Sequence, residues 1–245
     1  MKINFGLGTS TYHSVLNKNS FLPELLGIQN IHMIEFIDTA PIYAHGKAEF
    51  WLGMNKSLTA NRKIITKVGL EYSLKTRIGF NIPRGKTLYR RLFPQEIRRI
   101  SYTKVRKSYE KSCRNFKGIK PYGVLVHSYD GEQDSRDQLA QLRQLKRENI
   151  DLKIGVSIDG PLAEMPSGLD IVEIPADFGQ TNLLQNFHGL LVINQVFQKN
   201  LTENRIKQFQ KLQIEEVVLL CGSTKNDRIQ SFISQWQNLS SKTKD

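Results

Sequence analysis

The stretch Phe36-Ile37-Asp38-Thr39-Ala40-Pro41-Ile42-Tyr43 decides how this chain is read. An apolar run ends on a carboxylate, the chain turns at a proline, and a phenol follows five positions after Asp38. A buried strand hands polar groups to a loop in this way, because the apolar run needs a core while proline cannot extend the strand's hydrogen-bond ladder.

On either side of it, short β-branched runs recur with helix-period stretches between them. Strands are expected near Lys2 to Leu7, Ile34 to Asp38, Lys63 to Lys67, Tyr122 to His127, Leu152 to Ser157, Asp170 to Ile174, Leu190 to Asn194 and Glu216 to Cys221. Helical connections are expected over Leu22 to Gln29, Lys47 to Asn55, Thr103 to Lys117, Gln133 to Glu148, Thr181 to Asn186, Glu203 to Leu212 and Asp227 to Trp236. This alternation predicts an α/β fold, a closed parallel (β/α)8 TIM barrel, usually built from about 250 residues. The 245 residues suffice for one such domain over 1–245, and no Pro/Gly/Ser-rich linker divides them.

Two places depart from an even barrel. Between strands 5 and 6 only Ile158 to Leu169 remain, and Pro161, Pro166, Gly160 and Gly168 among them predict a shortened crossover without a full helix. After the third strand, Gly69 to Ser101 is long and basic, with Tyr72, Phe80, Tyr89 and Phe93 along it and Tyr102 just beyond, so it is a candidate lid. The pair Gly6-Leu7-Gly8 lacks the third glycine of a dinucleotide fingerprint and reads as a tight exit from the first strand.

Composition narrows the class further. Cys113 and Cys221 stand far apart without metal-ligand or CxxC spacing, so neither a disulfide framework nor a metal site is expected, and a reducing, cytoplasmic compartment fits. No apolar run approaches the ~18 residues of a membrane span. The formal charge is +12, but Leu70 to Lys120 holds fifteen Lys/Arg against three acids and the rest of the chain is balanced. A localised excess reads as a basic surface, or as a rim that attracts a phosphorylated cofactor or anionic substrate; nucleic acid is a weaker reading.

Asp38 and Tyr43, Lys67 and His127 stand at or just past the ends of three consecutive expected strands, and in a parallel barrel those ends converge on one face. Taken singly, Asp38 reads equally as a strand cap, Tyr43 as a packed loop residue, and His127 as a core histidine. Lys67 could also serve as a Schiff-base lysine of an aldolase-type barrel. Taken together, they suit proton donation. A free phenol titrates near ~10, and a neighbouring ammonium is expected to draw Tyr43 down while Asp38 keeps Lys67 charged. His127 would orient a carbonyl oxygen, and the hydride would have to come from a cofactor.

At this point the sequence resembles the aldo-keto reductase family. The matching segments are Phe5-Gly-Leu-Gly-Thr9, Phe36 to Glu49 with Leu52-Gly53, Ile65-Thr-Lys-Val-Gly69, Leu125-Val-His127, Ile154-Gly-Val-Ser157 and Gly222-Ser-Thr-Lys-Asn-Asp-Arg-Ile229, in the family's order. The resemblance implies that Asp38, Tyr43, Lys67 and His127 form the family's catalytic tetrad, acting in NAD(P)H-dependent reduction of an aldehyde or ketone, such as a sugar derivative, or in the reverse oxidation. It implies that Ser157 and Glu173 meet the nicotinamide amide, that Ser223 and Arg228 meet the adenosine 2′-phosphate, where a guanidinium favours NADP over NAD, and that Gly222 beside them is a cofactor contact. Ser223 and Arg228 read equally as a helix cap and an exposed cation. The family's usual Asn is Ile158 here, its usual Gln is Glu173, and Asn194 to Leu201 lacks the usual stacking Tyr, for which Phe197 is a candidate substitute. These departures keep a second reading open, a non-catalytic barrel that binds NADP or an anion as a regulator or subunit.

Overall fold

The eight expected strands close into one parallel barrel in the computed structural model, which describes residues 1–10, 32–73, 96–199, 201–212, 214–223 and 225–242. They are β1 Lys2–Gly8, β2 Ile34–Asp38, β3 Lys63–Val68, β4 Gly123–Val126, β5 Lys153–Ser157, β6 Ile171–Pro175, β7 Leu190–Asn194 and β8 Glu216–Cys221. Each pairs with its neighbours in sequence, and β8 closes on β1. The longer connecting helices are α1 Ala48–Met54, α2 Val105–Asn115, α3 Gln133–Glu148, α4 Glu203–Lys211 and α5 Asn226–Lys242, with one further helical turn at Lys56–Thr59. Two of these differ from expectation: α2 is preceded by a 3-10 turn at Tyr102–Lys104, and α5 runs beyond Trp236 into the polar tail. The helix expected at 22–29 lies outside the described residues.

Side-chain alternation explains where the barrel's polar groups gather. On a strand, residues two apart share a face. Phe36, Ile65, Leu125, Ile171, Val192 and Leu220 pack together as a buried layer inside the barrel. Two residues further along the same strands or their exits stand Asp38, Lys67, His127, Glu173, Asn194 and Gly222. One apolar layer therefore carries a polar layer at the carboxyl-terminal mouth, while a larger apolar cluster fills the space between barrel and helices.

Close packing sets the role of two inward glycines. A Cβ at Gly6 would lie 2.7 Å from Leu220, and one at Gly155 would lie 1.8 Å from the Ile171 carbonyl oxygen. Gly6 thus makes room for side chains inside the barrel; neither it nor Gly8 has the positive φ of a tight turn, which corrects the sequence expectation.

The crossover between β5 and β6 contains no helix, as its prolines and glycines predict. The next crossover is also short, with only a 3-10 turn at Thr181–Leu184. Of the candidate lid, the described ends form an antiparallel stem, Leu70–Tyr72 against Ile97–Arg99. Residues 74–95, which include Phe80, Tyr89 and Phe93, lie outside the described residues. Some of the basic segment is occupied by ion pairs: Arg98 with Glu71, Arg99 with Asp130, and Arg106 with Glu148. No helix among the described residues is long and apolar enough to cross a membrane.

Candidate active site

The polar layer is organised around Lys67, whose side chain is fully buried at the end of β3. Its ammonium forms an ion pair and a hydrogen bond with Asp38 of β2. On the other side, Glu173 Oε2 of β6 lies 3.1 Å from Lys67 Nζ, close enough for charge attraction but not aligned as a hydrogen bond. One ammonium thus serves two buried carboxylates.

The chain after β2 brings in the phenol. The Thr39 N–H donates to the Ile65 carbonyl at 2.9 Å, holding the exit of β2 against β3, and the Tyr43 N–H donates to the Ala40 carbonyl at 3.0 Å after the Pro41 turn. A 3-10 turn at Tyr43–Gly46 follows, with Ala44 and Gly46 at φ of 49° and 82°. Tyr43 meets His127 edge to face, ring centroids 5.7 Å apart, and Lys67 Nζ is 5.2 Å from the phenol ring centre.

Beneath this turn, α1 is fixed by a buried acid that sequence reading left without a role. Glu49 accepts from Thr66 Oγ1 at 2.7 Å and from Asn115 Nδ2 at 3.0 Å, tying α1 to β3 and α2. Its signal was available, since a carboxylate on the apolar face of a short helix must find donors.

His127 begins the loop after β4, its N–H donating to the Val68 carbonyl at 2.8 Å. Arg99, on the lid stem, donates to the Ser128 carbonyl and to Asp130 Oδ2, each at 2.8 Å, and more weakly to the His127 carbonyl at 3.4 Å. The stem is thereby clasped to the loop that carries His127. Neither Arg99 nor Asp159, which lines the same cavity, was singled out in the sequence, because nothing local distinguishes them from other surface charges.

Burial governs the protonation of these groups. Lys67 would be lowered by desolvation, but Asp38 and Glu173 outweigh it and hold the ammonium well above its ordinary range. Burial, followed by repulsion from Glu173, raises Asp38 to about 8 despite the Lys67 ammonium. His127 is lowered well below its usual value by burial and then by the charges of Lys67 and Arg99, so it is neutral at physiological pH. Tyr43 was expected to be drawn down by Lys67. The structure reverses this: burial pushes the phenol up, the carboxylates of Asp38 and Glu173 add to it, and the ammonium only partly opposes them. The phenol keeps its proton, which is the form a proton donor requires.

Asp38, Tyr43, His127, Ser157, Asp159, Glu173, Asn194 and Gly222 line a cavity of about 170 Å3 at the barrel mouth, with Lys67 beneath it. Ser157 and Glu173 are direct partners in the β5–β6 register. Asn194 Nδ2 donates to Glu173 Oε1 at 2.7 Å, and two acceptors there, Glu173 Oε2 and Asn194 Oδ1, have no hydrogen-bond donor. Val196 and Phe197 also line a second cavity of about 700 Å3, with Lys225, Arg228 and Trp236. Arg228 stacks on Phe197 at 4.5 Å, so this phenyl ring supports a guanidinium. Ser223 Oγ accepts from the Lys225 N–H at 3.1 Å, as a capping serine does. The polar side chains of Ser157, Glu173 and Asn194 in the wall of the first cavity suit an amide, and the cations Lys225 and Arg228 of the second suit a phosphate, so the residues present fit a phosphorylated nicotinamide cofactor.

No family model matches this sequence, and no curated protein matches it. Solved structures do. A Pseudomonas aeruginosa protein described as an aldo-keto reductase is 18% identical with a TM-score of 0.63, over 92% of this chain and 85% of that one. The glycerol dehydrogenase of Gluconobacter oxydans is 16% identical with a TM-score of 0.59, over 92% and 84%. An aldo-keto reductase of Klebsiella pneumoniae in complex with NADPH is 14% identical with a TM-score of 0.59, over 93% and 82%. At these identities the likeness is one of fold: this chain has the (β/α)8 architecture of those enzymes.

Proposed function

We propose that this chain is an NADP-dependent aldo-keto reductase that reduces an aldehyde or ketone, including a sugar derivative, to an alcohol. The observation that carries the reading is the convergence of a protonated Tyr43, a permanently charged Lys67 and a neutral His127 on one cavity. Six sequence segments in the family's order and the fold shared with NADPH-binding enzymes support it.

In this reading the bound cofactor supplies hydride to the carbonyl carbon. Tyr43 gives its proton to the carbonyl oxygen, so the alcohol forms with hydride on carbon and a proton on oxygen. Lys67 supplies a positive field that favours the phenolate left behind, and Asp38 fixes the ammonium. His127 donates a hydrogen bond that orients the substrate oxygen. Ser157, Glu173 and Asn194 hold the amide end of the cofactor, while Arg228 and Lys225, beside Gly222 and Ser223, take its phosphate. The cysteine spacing fits a reducing, cytoplasmic compartment, and the cavity at the barrel mouth fits a small molecule as partner rather than nucleic acid or membrane.

The test is a tryptophan-fluorescence titration with NADPH and NADH, followed by loss of NADPH absorbance across a panel of aldehydes, ketones and sugars. Trp236, in the wall of the second cavity, provides the reporter. Tight NADPH binding with turnover of at least one carbonyl is expected. Binding without turnover across the panel favours the non-catalytic barrel, and no binding of either nucleotide overturns the reading.

A further inference from the structure

The cavity at the barrel mouth carries one carboxylate more than its proton chemistry uses. Asp38 suffices to hold Lys67, yet Glu173 is also within 3.1 Å of the same ammonium and is 1% exposed. A glutamine at 173 could make the same contact with Asn194 and would leave the Asp38–Lys67 pair neutral. The acid therefore adds a second carboxylate that can become charged, rather than a hydrogen bond.

The unsatisfied groups point the same way. Asn194 Nδ2 is spent on Glu173 Oε1, so the two orphaned atoms, Glu173 Oε2 and Asn194 Oδ1, are both acceptors. Glu173 Oε2 thus has the Lys67 ammonium at 3.1 Å as a charge partner without an aligned hydrogen bond, and Asn194 Oδ1 has no donor. The groups facing this spot from the surrounding strand ends are Asp38 and Tyr43 after β2, Lys67 on β3, neutral His127 after β4 and Asp159 after β5. Ser10 after β1 and Gly222 after β8 bring no charge. Arg99, whose charge also acts on His127, is engaged with Ser128, Asp130 and the His127 backbone. Two buried carboxylates, Asp38 and Glu173, thus share one ammonium where charge interactions are stronger than in water, while Asp159 is exposed and accepts from the Ser128 hydroxyl.

We propose that Glu173 makes this pocket select a positively charged ring over its neutral form, so that the oxidised nicotinamide cofactor binds more tightly than the reduced one. The proposal rests on the cofactor reading above and adds to it a residue that sets which form is held. The two forms share their phosphates and their amide; they differ in the charge of the ring, and only that difference can be read by an added carboxylate. Burial and Glu173 together hold Asp38 up at about 8, so near neutral pH the cluster retains a proton. Arrival of a cation favours its loss to solvent; arrival of a neutral ring does not. Affinity for the oxidised form should accordingly rise with pH up to about 8 and level off above it, while that for the reduced form changes little.

The experiment titrates the wild type and Glu173→Gln with NADP+ and with NADPH separately. Calorimetry at about pH 7 in two buffers of different ionisation heat counts released protons. The expected result is proton release on binding NADP+ but not NADPH, and a shift of the affinity ratio toward NADPH on the order of tenfold in Glu173→Gln. An unchanged ratio in a folded variant, or NADP+ binding without proton release, overturns the role of Glu173 and leaves the cofactor reading standing. If the wild type binds neither form, the cofactor reading falls and this inference with it. Should Glu173→Gln fail to fold, the proton count on the wild type decides.

Discussion

The two halves of the barrel mouth are built differently. On β2 to β4, Asp38, Tyr43, Lys67 and His127 engage one another directly, and a scaffold of Glu49, Thr66 and Asn115 holds the turn beneath them. On β5 to β7, Ser157, Glu173 and Asn194 leave two acceptors without donors, and the crossover behind them carries no helix. The first half pairs its charged groups with one another, while the second leaves Glu173 Oε2 and Asn194 Oδ1 without an aligned donor. A single residue, Glu173, joins them through Lys67, so a change to one half is felt in the other.

The largest effect that tests this coupling comes from Lys67→Met. Removing the ammonium leaves Asp38 and Glu173 buried and unpaired, and breaking a buried pair costs about 3–5 kcal/mol. Urea unfolding should register that loss, and Lys67→Met combined with Glu173→Gln should recover part of it. If the double variant is no more stable than the single, the halves are not coupled through Lys67.

A smaller effect is expected from pH. The native value of Asp38, about 8, lies above its unfolded value near 3.8. The native state therefore binds more protons between these values, and this contribution is lost as pH rises through about 8. His127 acts in the opposite sense: its native value is lowered, so its contribution is lost on the acid side. Melting temperature should fall from about pH 6 to about pH 9, and less so in Glu173→Gln. A wild-type melting temperature that rises over this window contradicts the buried extra acid.

The smallest change concerns the scaffold. Glu49→Ala removes two acceptor oxygens and leaves the Thr66 hydroxyl and the Asn115 amide without them, at about 1–3 kcal/mol. Since Glu49 touches no reacting group, affinity for cofactor should stay within about twofold in the folded variant. A large loss of affinity would mean that the turn bearing Tyr43 is less well fixed by its own hydrogen bonds than the geometry indicates.

How far the sequence reveals this site depends on what kind of signal each residue leaves. Strands such as Ile34–Asp38 and Leu190–Asn194 are legible because apolar runs bounded by polar exits need only local information. Asp38, Tyr43, Lys67 and His127 are legible because parallel closure brings successive strand ends together. The rise in Tyr43 is not, because burial outweighs the neighbouring ammonium and burial is a property of the packed barrel. The departure at Glu173 is visible in the chain, but its approach to Lys67 depends on strand tilt and register across the barrel. Arg99 reads as one basic residue among many until the antiparallel stem carries it to the loop after β4.

The central claim is that Tyr43 delivers the proton. The most direct measurement is turnover of an accepted aldehyde by Tyr43→Phe under saturating NADPH, with nucleotide affinity measured in parallel. Loss of the general acid should lower kcat on the order of 10² to 10⁴-fold while NADPH affinity stays within about twofold. A variant that binds NADPH and turns over at the wild-type rate would contradict the account.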